Sequence, residues 1–230
     1  MKIVAISDLH GYLPMDLPEG DTLCICGDIF PLDIQKNVSE CESWLNDVFI
    51  PWTIEIPFKN VVILAGNHDF FFEYVEPVDH ILMFDGTKIT FLQDSYVIIN
   101  KIKFYGTPWC HKFGKWAYML YDDELETKFK HIPSDVDFLL THDAPYGTSD
   151  ICMQNVYWNN GDHIGSKPLR DVVIEKKPKY MLHGHLHSTN HDEEVLNETK
   201  VYNVSLLDER YAPTYQPLVI EYEKVQNSNN

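Results

Sequence analysis

Short clusters of aspartate, asparagine and histidine follow five apolar segments of the chain. They are Asp8-Leu9-His10, Gly27-Asp28, Gly66-Asn67-His68-Asp69, Thr141-His142 and Gly184-His185-Leu186-His187. In the Asp-x-His and His-x-His pairs, both side chains fall on the same face of an extended chain, so each pair can hold one ion. A mixture of carboxylate, amide and imidazole donors suits borderline first-row metals such as Mn, Fe, Co or Zn. The clusters therefore predict metal chemistry.

The candidate metal ligands are more numerous than one ion requires. They are Asp8, His10, Asp28, Asn67, His142, His185 and His187. Two ions that share a carboxylate would use the whole set, and paired ions about 3.5–4 Å apart act on both the attacking and the leaving oxygen of a phosphoryl group. A single histidine is more often an ordinary hydrogen-bonded residue, but five clusters in succession argue against that explanation here. We expect a dinuclear site.

The apolar segments that precede the clusters must position them. Their short lengths predict buried strands at 3–6, 22–26, 61–65, 138–140 and 180–182. Helical spacing of apolar residues and end signals predict helices at 35–50, 70–83 and 166–176, the second made irregular by a proline. In α/β folds, sites form where loops converge at the carboxyl ends of the strands. We expect all five clusters at one such edge.

The remaining segments are predicted to add strands, and none of them marks a boundary between domains. Three antiparallel strands are predicted within 89–105, and two more at 201–206 and 218–221. With the helices, they indicate mixed sheets with helices on the outside. No internal repeat or flexible linker interrupts the pattern, so we predict a single domain over 1–224 and a flexible tail over 225–230.

The composition limits the partners. The chain of 230 residues has 18 Lys+Arg against 35 Asp+Glu, a formal net charge of −17, which repels nucleic-acid polymers. An odd number of cysteines, five, without framework spacing suits a reducing compartment. No apolar segment reaches the eighteen or so residues of a membrane span, and no signal peptide is evident. We expect a cytoplasmic protein that does not bind membranes.

The order of the clusters resembles that of the calcineurin-like metallophosphoesterase superfamily. The resemblance covers most of the chain, from Asp8 to His187. It implies a four-layer α/β/β/α sandwich with mixed sheets, and two divalent ions among Mn, Fe, Zn, Co and Ni, with Mn favoured. It implies that Asp28 bridges the ions. It assigns Asp8, His10 and His187 to one ion, and Asn67, His142 and His185 to the other.

The same resemblance implies the catalytic roles. His68 contacts the phosphate and protonates the leaving group, Asp69 lies behind it as an orienting carboxylate that raises the imidazole pKa, and Asn67 binds the phosphate. A hydroxide that bridges the two ions is the expected nucleophile. His111 and His163 are further candidates for substrate binding, although a role outside the site is commoner for such histidines. The long segment 146–165 is predicted to be a loop that faces the substrate.

Additional stretches narrow the resemblance. Segments 105–109 with 116–117, 140–147 and 216–219 look like those of small metallophosphoesterase-domain proteins related to class III cyclic-nucleotide phosphodiesterases. Protein Ser/Thr phosphatases have an Asp-Arg pair after their Gly-Asp, whereas Ile29-Phe30-Pro31 follows Asp28 here. The only two arginines of the sequence are Arg170 and Arg210. A phosphoprotein phosphatase, which clamps phosphate with arginine, is therefore disfavoured.

We predict a hydrolase of small phosphodiesters, with cyclic nucleotides as one possible class. A diester carries one negative charge and requires fewer cationic clamps than a dianionic monoester. A phosphomonoesterase is the first alternative, and a metal-dependent nuclease is disfavoured by the acidic charge. A catalytically silent scaffold of the same fold is expected to lack ligands or the catalytic histidine, and this sequence keeps them all.

Overall fold

The chain forms two large mixed sheets in a computed structural model that describes residues 1–151 and 161–224. The strands of the first sheet are Lys2–Ile6 (β1), Thr22–Cys26 (β2), Asn60–Leu64 (β3), Ile89–Phe91 (β4) and Leu218–Glu221 (β13). They lie in the order β13-β1-β2-β3-β4. β1 to β4 are mutually parallel, and β13 pairs with β1 in the antiparallel direction.

The second sheet has six strands, four of them parallel. They are Ser95–Ile99 (β5), Ile102–Thr107 (β6), Phe138–Thr141 (β9), Tyr180–His183 (β10), Glu194–Leu196 (β11) and Thr199–Asn203 (β12). Their order is β11-β12-β10-β9-β6-β5, and β5 and β11 pair antiparallel at the two edges. Two short strands, Cys110–His111 (β7) and Met119–Leu120 (β8), form a separate parallel pair.

Helices cover the outer faces of both sheets. They are Val38–Trp44 (α1), Ile50–Glu55 (α2), Phe70–Tyr74 (α3), Pro77–Met83 (α4), Asp122–Phe129 (α5) and Lys167–Lys176 (α6), with a π-helical stretch, Leu45–Phe49, between α1 and α2. Asn37 caps α1 because its side chain accepts the backbone N–H of Glu40. None of the helices in the described part of the chain has the length and apolar character to cross a bilayer.

Successive side chains of a strand point to opposite faces of its sheet, so each inner strand contributes to two hydrophobic cores. In β1, Ile3 and Ala5 pack into the core between the two sheets, whereas Val4 and Ile6 face the core under α1 and α2. On the far side, β9 and β10 pack against α5 and α6 through a third apolar cluster. The inner strands β1, β2, β3, β9 and β10 are buried on both faces, so their sequences are continuous apolar runs. The predicted four-layer α/β/β/α sandwich is confirmed.

The predicted antiparallel trio within 89–105 is wrong. β4 instead joins the first sheet, where it runs parallel to β3, and only β5 and β6 form an antiparallel hairpin in the second sheet. The chain therefore passes from one sheet to the other at 92–94. The expected strand 201–206 is shifted and ends at Asn203.

The helix predictions hold with different limits. The helix expected at 35–50 begins only at Val38 and runs on through the π-helical stretch to Glu55. The segment 70–83 divides into α3 and α4, with the second helix beginning at Pro77, consistent with the expected irregularity. α5 was not predicted because Leu125 and Phe129 are its only buried side chains in a charged segment.

Candidate metal centre and catalytic site

The predicted clusters converge at the carboxyl ends of parallel strands from both sheets. Asp8 follows β1, Asp28 follows β2 and Asn67 follows β3, while the second sheet supplies His142 after β9 and His185 after β10. Four of the predicted ligands have a positive φ, which is uncommon for residues with side chains and is concentrated at functional sites. They are Asp8 at 56°, His10 at 43°, Asp28 at 54° and His185 at 70°.

Two glycines make this convergence possible. A Cβ atom on Gly66 would lie 2.1 Å from Oδ1 of Asp28, and one on Gly184 would lie 2.3 Å from Oδ2 of Asp8. Both distances are well below any van der Waals contact between a Cβ and an oxygen. The carboxylates can approach the neighbouring strand ends only because these positions carry no side chain.

The first group of candidate ligands consists of Asp8, His10 and His187, whose donor atoms all lie within 4.8 Å of one another. Nε2 of His187 is 3.2 Å from Oδ1 of Asp8, and its Nδ1 is 2.9 Å from the carbonyl oxygen of Asp208, to which it donates. This outer hydrogen bond fixes the ring so that Nε2 faces the site. Both ring nitrogens of His10 are buried without a hydrogen-bond partner among the described residues.

The second group consists of Asp8, Asp28 and His142, again within 4.8 Å. Nδ1 of His142 is 2.8 Å from the carbonyl oxygen of Cys26, so its Nε2 points inward, 3.0 Å from Oδ1 of Asn67. The ring of His185 lies 5.1 Å from that of His142, and its backbone N–H donates to Asp8. The structure thus brings all seven predicted ligands into one connected cluster.

Asp28 lies between the two predicted ligand sets. Its Oδ2 is 3.7 Å from Nε2 of His10 and 3.3 Å from Nε2 of His142. Its Oδ1 accepts the backbone N–H of His68 at 2.8 Å. One carboxylate therefore faces a member of each set and is also tied to the loop after β3.

Two imidazoles form ion pairs with the buried carboxylates. Burial opposes ionisation of Asp8 and Asp28, but the surrounding histidines outweigh it and hold the pKa of each carboxyl group well below its usual range. Burial likewise opposes protonation of His142, but Asp28 raises its pKa to about 10. Asp8 raises the pKa of His187 to about 9 in the same way. Without ions, protons on these two rings balance the carboxylate charge.

The other two imidazoles are neutral. Burial lowers the pKa of His10 to about 4 and that of His185 to about 3. Neutral imidazole is the form that binds a metal, and the orphaned nitrogens of His10 lack any other described partner. Oxygen and imidazole donors around shared carboxylates fit a pair of borderline divalent cations.

His68 lies beside this cluster, with its ring 5.0 Å from that of His10. Its Nδ1 is 2.6 Å from Oε1 of Gln35, whose Nε2 donates to the carbonyl oxygen of Leu32 at 2.8 Å. The second bond fixes which amide atom faces the ring, so Nδ1 of His68 donates and Nε2 is left for a substrate. The indole of Trp116 packs on the ring at 4.4 Å.

The prediction that Asp69 orients His68 is wrong. The carboxylate of Asp69 instead holds the loops after β2 and β3 together through backbone N–H groups. Its Oδ2 accepts from Asp28 at 2.8 Å and Gly66 at 2.7 Å, and its Oδ1 accepts from Ile29 at 2.9 Å and Phe30 at 3.2 Å. The expected rise in the pKa of His68 is also wrong, because burial lowers it.

The two further substrate-binding candidates differ in position. Nδ1 of His111 is 2.8 Å from Oδ2 of the buried Asp143, which neighbours His142 in the chain, and this carboxylate outweighs burial and raises the pKa of His111. His163 pairs instead with Asp150, with Nδ1 and Oδ1 2.6 Å apart. Its described contacts lie outside the ligand cluster. Part of the predicted substrate-facing segment, 152–160, lies outside the described residues.

Three residues at the site were given no role by the sequence analysis. Gln35 and Trp116 touch His68 from distant parts of the chain, and neither has a spacing that marks it. Tyr211 has a φ of 58°, and its ring stands perpendicular to those of His10 and His187 at 4.9 and 5.5 Å. A bulky residue with positive φ is an outlier that only the folded backbone reveals.

Comparison with known proteins agrees with this arrangement. The family model for calcineurin-like phosphoesterases matches residues 1–189. Human metallophosphoesterase domain-containing protein 1 is 27% identical, with 99% of this chain and 72% of that protein covered. UPF0046 protein C25E10.12 of Caenorhabditis elegans is 28% identical, with 96% and 80% covered. The crystal structure of TT1561 of Thermus thermophilus has the same fold, with a TM-score of 0.59, 13% identity and 88% of each chain covered.

Proposed function

The chain belongs to the calcineurin-like phosphoesterase family, and from this premise we propose that it hydrolyses small phosphodiesters with two divalent ions, manganese being favoured. The observation that carries the proposal is the position of His68 beside two ligand sets that meet at Asp28, whose Oδ2 faces His10 of one set and His142 of the other. A proton donor next to paired cation sites is what cleavage of a P–O bond requires.

The residues of the site have two proposed roles, which are to bind the ions and to transfer a proton. Asp8, His10 and His187 would hold one ion, Asn67, His142 and His185 the other, and Asp28 both. When bound, two such ions supply positive charge for the phosphate and lower the pKa of water to about 7. Hydrolysis forms a P–O bond from water and breaks the P–O bond to the leaving alcohol. In this step His68 would act as the imidazolium: it keeps the Nδ1–H that Gln35 accepts and passes the proton on Nε2 to the oxygen of that alcohol.

The scarcity of arginine supports a diester over a monoester. Arg170 is engaged with Asp171 through a 2.6 Å ion pair. The backbone N–H of Arg210 donates to Oδ1 of Asp208 at 2.9 Å. A diester carries a single negative charge and needs fewer cationic partners than a dianionic monoester.

A phosphomonoesterase is the second candidate, because a metal pair can act on both ester classes. A nuclease requires a basic groove, and the formal net charge of −17 opposes one. A scaffold without activity is disfavoured by the complete ligand cluster. The four cysteines of the described residues are free buried thiols, which supports a reducing, cytoplasmic location.

The test is a comparison of kcat/KM for nitrophenyl monoesters and diesters, cyclic nucleotides and single-stranded DNA, with the manganese-loaded protein. We expect the diesters and cyclic nucleotides to be preferred. A preference of roughly tenfold for the monoester or for DNA, about 1.4 kcal/mol in transition-state stabilisation, would overturn the choice. No turnover of any ester by the loaded protein would favour the scaffold.

A further inference from the structure

A cavity of about 310 Å³ has two aromatic and two basic side chains in its lining, and one of the aromatic side chains, Trp116, packs on His68. The lining residues are Lys36, Phe113, Gly114, Lys115 and Trp116. Small-molecule sites range over about 300–1,000 Å³, so this cavity has room for one ring system and not for a large ligand. It is the size of a subsite.

The two aromatic walls of the cavity also contact histidines of the site. The ring of Trp116 packs on His68 at 4.4 Å with an interplanar angle of 32°. The ring of Phe113 packs on His185 at 5.4 Å with an angle of 37°. Because a general acid must lie within hydrogen-bond reach of the oxygen that it protonates, the alcohol that leaves must be next to His68. Trp116, one wall of the cavity, is in contact with the ring that would donate this proton.

The basic residues give the cavity a positive charge. Nζ of Lys36 lies 5.3 Å from the ring of Trp116 and 5.2 Å from that of Phe70, in the range of cation–π contacts. Both Lys36 and Lys115 are exposed. The lysine ion pairs found within residues 1–151 and 161–224 belong to other lysines, namely Lys103, Lys128, Lys176, Lys177, Lys200 and Lys224.

We propose that this cavity is the leaving-group subsite and that it takes a planar aromatic alcohol with a second anionic group, a carboxylate in the simplest case. The proposal rests on the phosphoester hydrolase activity proposed above. Phe113 and Trp116 contact the ring, and the ammonium groups of Lys36 and Lys115 attract the anion. In a chain with a formal net charge of −17, these two lysines offset the repulsion that an anionic substrate meets.

A matched pair of substrates tests the charge preference. The methyl phosphodiesters of 3-hydroxybenzoate and 3-hydroxybenzamide have leaving groups of the same size, and only the first carries a charge at pH 7. Release of the two phenols by the manganese-loaded protein is measured by chromatography. We expect kcat/KM for the carboxylate ester to exceed that for the carboxamide ester by about tenfold, the combined size of two exposed charge pairs.

Variants assign that preference to the cavity. In the double variant Lys36→Met/Lys115→Met, the ratio of the two kcat/KM values should fall close to one, and each single variant should give an intermediate ratio. Lys59→Met is the control, because Lys59 is exposed and directly precedes β3, at the opposite end of that strand from the site. It should keep the wild-type ratio. Exposure of all three lysines means that the variants should keep the fold.

Two results overturn the proposal while leaving the hydrolase activity intact. They are equal kcat/KM values for the two esters in the wild-type protein, and a charge preference that persists in the double variant. If neither ester is hydrolysed, the proposed function fails, and calorimetric binding of 3-hydroxybenzoate decides about the cavity. Weaker binding by the double variant than by Lys59→Met supports the subsite, and equal or absent binding refutes it.

Discussion

Oε1 of Gln35 lies 2.6 Å from Nδ1 of His68 and takes the position expected for a carboxylate behind this proposed general acid. The amide is itself held by a bond from Nε2 to the carbonyl oxygen of Leu32 at 2.8 Å. A neutral amide orients the ring without a countercharge for an imidazolium. Gln35 therefore orients the His68 ring without adding a negative charge beside it, and burial lowers the pKa of His68.

Replacing Gln35 with leucine should impair the acid step. Without its acceptor, the His68 ring is free to rotate, and we expect kcat for esters of aliphatic alcohols to fall about tenfold, a part of the 10²–10⁴-fold contribution of a general acid. Esters of nitrophenol, a good leaving group, should be affected less, and KM should change little. Steady-state kinetics with both ester types measures the difference.

A conservative variant separates orientation from packing. Glutamate at this position offers an oxygen in the same place, so Gln35→Glu should recover most of the activity lost in Gln35→Leu. Gln216→Leu, an exposed glutamine outside this contact, is the control and should behave like the wild type. Equal losses for both leaving groups in Gln35→Leu, or no recovery with glutamate, would contradict the orienting role.

His68→Ala should separate chemistry from metal binding. The ring of His68 is not among the seven ligands, so metal content should stay near the wild-type level while turnover falls by roughly 10²–10⁴. The loss should shrink for nitrophenyl esters, which hardly need a proton. Elemental analysis and kinetics are the measurements, with His131→Ala, an exposed histidine, as the control. A loss of bound metal, or equal losses for good and poor leaving groups, would argue against the acid role.

The ligand cluster could be predicted from the sequence because local sequence features determine where its residues lie. Apolar runs with a polar cluster at the end mark buried strands, and the carboxyl ends of parallel strands meet at one edge. Asp8 and His185 are far apart in the chain, yet the backbone N–H of His185 donates to Asp8 because β1 of the first sheet and β10 of the second end on the same side of the sandwich. Strand order was not needed for this inference.

The residue that orients His68 could not be predicted from the sequence, because its contact with the ring depends on the tertiary fold. Asp69 is the neighbour of His68 in sequence, but its carboxylate turns to the backbone of the loop after β2. Gln35 reaches the ring across 33 positions from the segment before α1, and no periodicity marks that contact. The placement of β4 failed in the same way, because its parallel pairing with β3 is a long-range choice that alternation does not encode.

Asp28→Asn should weaken both metal sites together. Oδ2 of Asp28 faces His10 of one set and His142 of the other, so loss of its charge removes neutralisation from two cations at once. We expect metal content to fall at both sites and activity to fall by tenfold or more, about the scale of losing an essential ligand contact. Asp85→Asn, on an exposed turn, is the matched control. Two tightly held ions in Asp28→Asn would refute its bridging position.

Metal binding should release protons at neutral pH. In the metal-free protein at pH 7, His142 and His187 are protonated, since their pKa values are raised to about 10 and about 9. His10 and His185, with values lowered to about 4 and about 3, are already neutral and release nothing. Because imidazole binds a metal only when deprotonated, loading both sites should displace about two protons.

The sign of the pH dependence follows from that release. Each proton displaced makes the apparent affinity about tenfold stronger per pH unit, so affinity for the ion pair should rise steeply from pH 6 to 8.5 and level off only above the two raised values. Titration calorimetry at pH 7 in two buffers of different ionisation enthalpy counts the protons. His187→Ala removes one of the two titrating rings and should release about one proton fewer. Two results would contradict this prediction: a release of protons near zero in the wild-type protein, or an affinity that does not change with pH. Either would show that His142 and His187 are not protonated in the metal-free site.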